Sequence, residues 1–104
     1  MIRVKIYTKN KEIKKITFRG HANYADYGKD IVCAASSATI LTSINAILAL
    51  AEHSIDVKQQ ENNIDIDIIN NNDITIKLIT NMLNSLKSIQ SNYPKNIEII
   101  EEEE

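Results

Sequence analysis

Ile2, Val4 and Ile6 alternate with Arg3, Lys5 and Tyr7, and a period of two marks a strand with one buried face. The polar run Lys9-Asn10-Lys11 predicts a turn. A second strand follows, from about Ile13 to Arg19, with Ile16 and Phe18 on its inner face. Ile13 has the wrong parity for that face, so a bulge is expected near Lys14-Lys15. The two strands read as an antiparallel hairpin.

The pattern then changes. From Gly20 to Asp30 turn formers dominate, and the segment reads as a mobile loop in which Gly20 and Gly28 supply backbone freedom. Asp30 has the chemistry of a helix N-cap, and the spacing after it predicts a helix from about Ile31 to His53. Small residues line its first half (Ala34, Ala35, Ser36, Ser37, Ala38, Thr39), and Ile40, Leu41, Ile44, Ile47, Leu48 and Ala51 its second. Such a thin first half permits close approach of another backbone or of a bound peptide.

Ile55 and Val57 open a third strand, Gln60-Glu61-Asn62 turns, and Ile64, Ile66 and Ile68 alternate with Asp65 and Asp67 in a fourth. Asn70-Asn71-Asn72-Asp73 closes it and can cap a second helix. That helix has the stripe Ile76, Ile79, Met82, Leu83, Leu86 and Ile89, and Tyr93-Pro94 stops it. Ile97 and Ile99 mark a last strand, and Glu101 to Glu104 reads as a frayed acidic tail. The order ββαββαβ predicts an α+β fold, a mixed or antiparallel sheet packed against two helices. A chain of 104 residues with no linker or internal repeat is expected to form one domain, 1–104.

With one Phe and no Trp, aliphatic side chains must fill the core. No apolar run is read as approaching the ~20 residues of a membrane span, and no apolar leader opens the chain. A lone cysteine cannot close an internal disulfide. A cytoplasmic protein is therefore expected. The net charge of −2 argues against a dedicated nucleic-acid binder, although residues 1–30 carry eight of the twelve basic groups against three acids. A basic patch there would suit an anionic partner, or would simply be a solvated strand face.

The scarce chemistry is concentrated. Both glycines, the only cysteine, one of two histidines and two of four tyrosines fall between Gly20 and Ala34. Cys33 is expected near the third position of the first helix, where free N–H groups and the helix dipole favour a thiolate. His21 lies twelve positions earlier, across a loop able to fold back. A thiolate beside an imidazole is the activated nucleophile of cysteine-based acyl transfer, and N–H groups around Cys33 and Ala34 could hold an oxyanion. Each residue also has a plainer role: Cys33 as a core thiol, His21 bonded to backbone, Asp30 as a cap alone, Tyr24 and Tyr27 as loop cover, His53 as a surface residue at a helix end. No Cys/His cluster has zinc spacing, and two glycines cannot make a phosphate loop.

Gly20-His21-Ala22, Tyr24-Ala25, Gly28, and Asp30-Ile31-Val32-Cys33-Ala34-Ala35 with Ser37 resemble the signature of the bacterial ribosomal-processing cysteine proteases, the Prp family. The resemblance implies a catalytic dyad of His21 and Cys33, with Asp30 matching the family aspartate. Gly20, Tyr24, Tyr27, Gly28 and Ser37 are expected around the substrate, the two tyrosines flanking a bound side chain and Ser37, which matches the family serine, equally suited to a structural role. The resemblance further implies a cofactor-free cytoplasmic homodimer without metal. Its substrate would be the precursor of large-subunit ribosomal protein twenty-seven, cut after a bulky apolar residue to remove an N-terminal extension. The competing expectation is a non-enzymatic ribosome- or RNA-associated module using the basic hairpin. A thiol redox sensor is disfavoured, because no second cysteine can resolve a sulfenic acid.

Overall fold

The computed structural model describes residues 1–20, 27–61 and 63–104. Seven elements follow in order: β1 (Ile2–Lys9), β2 (Glu12–Arg19), α1 (Tyr27–Leu50), β3 (Ile55–Gln60), β4 (Asn63–Ile68), α2 (Asp73–Asn92) and β5 (Ile97–Glu103). The five strands form one sheet in the order β3-β4-β2-β1-β5. Three neighbouring pairs are antiparallel, and β1 with β5 is parallel, so the sheet is mixed. The α+β order read from the sequence is the order of the fold.

The alternation in β1 does what its period requires. Ile2, Val4 and Ile6 are buried together with Ile16, Phe18, Ile66 and Ile97, and all join one core cluster with the helices. The β1–β2 turn is two residues long, with φ of 53° at Asn10 and 67° at Lys11, the left-handed pair that matches the twist of a hairpin. The bulge falls at Lys14. Thr8 pairs with Ile13 and Tyr7 with Lys15, and the skipped residue restores Ile16 and Phe18 to the inner face.

The opposite sheet face is charged, and its charges are matched across strands. Arg19 on β2 pairs with Asp65 on β4 at 2.6 Å, Arg3 with Glu98 at 3.6 Å, and Lys5 with Glu102 at 3.7 Å. The hydrogen bond from Arg19 lowers the Asp65 pKa, against a smaller opposing push from desolvation. The basic bias of the N-terminal hairpin is thus offset by acids brought alongside from distant sequence. The C-terminal glutamates are part of this arrangement. Glu101 to Glu103 pair in register with Ile6 to Thr8, and the Glu104 N–H donates to the Thr8 carbonyl at 2.7 Å. The expected frayed tail is strand, because β1 offers both an open edge and cations for the acids.

Helix α2 starts as its asparagines suggest. The Asn72 side chain accepts from the Thr75 N–H at 2.9 Å, and the Tyr93 N–H closes the other end on the Ile89 carbonyl. Its stripe is buried at Ile79, Met82, Leu83 and Leu86 as expected and differs at its first position. Thr75 is fully buried and donates to Ser54 Oγ at 2.7 Å, which in turn donates to the Ala51 carbonyl, while Ile76 is exposed. A buried hydroxyl chain takes the place that hydrophobic spacing assigned to an isoleucine.

Helix α1 differs from expectation at both ends. It begins at Tyr27, so Asp30 is its fourth residue and not its cap. It ends at Leu50, leaving His53 in the following turn. Between Ile31 and Leu50 it carries no charge and, by length and composition, is long and apolar enough to cross a membrane, contrary to the reading of the sequence. Here its stripe of Val32, Ile40, Ile44 and Ile47 is buried in the core, and α1 packs against α2.

Candidate active site

Gly20 follows β2 directly with φ +73°, and a Cβ at this position would stand 2.7 Å from the Met1 carbonyl oxygen. Both facts select glycine. At this end of the sheet, Phe18 pairs with Ile64 and Ile64 with Gln59, making one row across β2, β4 and β3. The row and the N-terminal half of α1 enclose a cleft of about 220 Å³. Cys33, Ser36, Ser37, Ile40 and Leu41 form its helical wall, spaced three and four apart on one stripe. Ile2, Phe18 and Ile64 form its sheet wall, with Gly20, Gln59 and Glu61 alongside.

Three residues singled out in the sequence, Gly20, Cys33 and Ser37, therefore meet in one cleft. Cys33 is a free thiol, partly exposed, packed against the edge of the core. Ser37 is exposed one turn further along α1. Tyr27, Gly28 and Asp30 lie in the first turn of α1. His21 and Tyr24, and most of the segment read as a mobile loop, lie outside the described residues.

The position of Cys33 in α1 differs from the expected one. Because α1 starts at Tyr27, Cys33 is its seventh residue rather than its third. The unbonded N–H groups of a helix belong to its first four residues, and the dipole fades within the first turn. The N–H groups of Cys33 and Ala34 thus fall beyond the four unbonded positions at the start of the helix. Asp30 misled because a carboxylate suits the first turn as well as the cap.

The rest of the cleft was not foreseen. Ile2, Phe18 and Ile64 looked like core, and only strand pairing shows that they border an opening. Ser36 left a signal, a hydroxyl at the core-facing spacing between Val32 and Ile40.

The family described as cysteine protease Prp matches residues 1–98. A Staphylococcus aureus (strain Mu50) protein named ribosomal processing cysteine protease Prp is 34% identical over 91 residues, 85% of this chain and 86% of its own. The protein of that name from Bacillus subtilis (strain 168) is 29% identical over 97 residues, covering 86% and 87%. The crystal structure of Prp from S. aureus with a substrate peptide superimposes with a TM-score of 0.91 at 31% identity, covering 98% of this chain and 100% of that one. The same enzyme with a covalently linked product peptide gives 0.89 at 32%, with the same coverage. With a partly exposed thiol in a cleft at the matching motif, and likeness along nearly its whole length, this chain belongs to the Prp family of cysteine proteases.

Proposed function

We propose that the chain is a cysteine endopeptidase that trims the N-terminal extension of large-subunit ribosomal protein twenty-seven, cutting after a bulky apolar residue. The observation that carries this reading is the Cys33 thiol, partly exposed and placed beside an apolar cleft. Cys33 Sγ attacks the scissile carbonyl while His21 takes the thiol proton. His21 then protonates the leaving amine, and water releases the acyl group from sulfur. Asp30 orients His21. Tyr24, Tyr27, Gly28, Gly20 and Ser37 contact the peptide. No metal or cofactor takes part.

The names of the relatives, and the peptide complexes of the S. aureus enzyme, support a ribosomal protein as substrate. The Phe18, Ile40 and Ile64 walls suit an apolar side chain. The 104 residues act as one catalytic domain in the cytoplasm, as a homodimer. The stretch of α1 from Ile31 to Leu50, uncharged and with Ile31, Leu48 and Leu50 exposed, supports pairing with a second copy. The test is incubation with a peptide spanning the extension and its cleavage junction, which the family resemblance gives as Phe before Ala. Wild type yields the two fragments, and Cys33→Ala and His21→Ala do not.

A further inference from the structure

Several hydroxyls in this fold are satisfied by nearby carbonyls or by one another. Thr39, Ser43 and Ser88 each donate to the carbonyl four residues earlier, and Thr75 and Ser54 are linked to each other. Ser36 departs from this. It is 2% exposed and lines the cleft one helical turn from Cys33, and among the described residues its Oγ has no hydrogen-bond partner. The Val32 carbonyl, available to it by the same four-residue spacing, is not used. A buried hydroxyl without a partner is destabilising, and alanine would fill the same place without that cost.

We propose that Ser36 is a substrate-contacting residue, whose hydroxyl donates to a main-chain carbonyl of the peptide entering the cleft beside Cys33. The inference rests on the peptidase reading and deepens it. Ser36 lines that cleft, and a single torsion, χ1, sets where its Oγ points. Ser37, Gln59 and Glu61 supply the other polar groups of the cleft, while Ile2, Phe18, Ile40 and Ile64 in the same lining have no side-chain polar atom. A peptide carbonyl drawn into that surroundings would otherwise lose its hydrogen bond to water. The contact is made in the bound ground state and retained during reaction, so it acts on affinity more than on turnover.

The experiment compares wild type, Ser36→Ala and Ser36→Thr on the Phe-Ala junction peptide, alongside thermal melting. Ser36→Ala is expected to raise KM about three- to tenfold with kcat little changed, in line with one neutral hydrogen bond, while Tm holds or rises. Ser36→Thr, which keeps the hydroxyl, is expected to retain more of the affinity than Ser36→Ala. An unchanged KM in Ser36→Ala, or a Tm lowered by several degrees, overturns the proposal in favour of a packing role or a buried water. Calorimetric titration of the same peptide into Cys33→Ala and into Cys33→Ala/Ser36→Ala measures the contact without turnover. If wild type fails to cut the peptide, the peptidase reading falls. If it cuts and the two titrations agree, only the role of Ser36 falls.

Discussion

The Met1 carbonyl oxygen and residue 20 are too close for any side chain: a Cβ on Gly20 would lie 2.7 Å from that oxygen, at a φ of +73°. The contact ties the start of β1 to the end of β2 where the segment bearing His21 begins. Gly20→Ala is therefore expected to destabilise by about 1–2 kcal/mol from the left-handed backbone alone, and further if Met1 cannot shift. Thermal melting checks this, with a fall of at least several degrees expected for a domain of this size.

The Arg19–Asp65 pair makes a prediction about pH. Asp65 titrates below its ordinary value in the folded state, chiefly through the Arg19 hydrogen bond. Its contribution is complete above the unfolded pKa, about 3.9, and is lost as pH falls through the lower folded value. Asp65→Asn should cost roughly 0.5–1 kcal/mol at pH 7 and progressively less below about pH 4. Urea midpoints at pH 7 and pH 3 test it, and an equal loss at both would exclude the pair as the cause.

Asn72 holds the first turn of α2 through the Thr75 N–H. Asn72→Ala should destabilise by about 0.5–2 kcal/mol. Amide hydrogen exchange should show faster opening at Thr75 than at Leu86, in the buried middle of the helix.

Thr75 donates to Ser54 Oγ in a buried place. Thr75→Val keeps the volume but leaves Ser54 without its donor, for an expected loss of about 1–3 kcal/mol. The double variant Thr75→Val/Ser54→Ala should recover part of it. Strict additivity in that cycle would mean the two hydroxyls are not coupled.

These cases also show what a reader of the sequence can and cannot see. Alternation in β1 and β4, the misplaced Ile13 and the asparagines before α2 each had one physical solution, and the fold adopts it. Ambiguity came where one chemistry serves two positions. Asp30 fits a cap and a first turn equally, so the start of α1 was misplaced by four residues, and with it the setting of Cys33. Glu101 to Glu103 have little strand tendency of their own and become strand by pairing with Ile6 to Thr8. Tertiary pairing also decides the cleft. Gly20 and Cys33 were picked out by residue type and Ser37 by the family resemblance, but the Phe18–Ile64–Gln59 row exists only once β2, β4 and β3 are side by side.

The most direct test of the central claim is the rate at which the purified protein cuts the Phe-Ala junction peptide, compared among wild type, Cys33→Ala and His21→Ala. Loss of cleavage in both variants, with melting temperatures preserved, is the expected result for a Cys33–His21 dyad. Cleavage at the wild-type rate by either folded variant would contradict it.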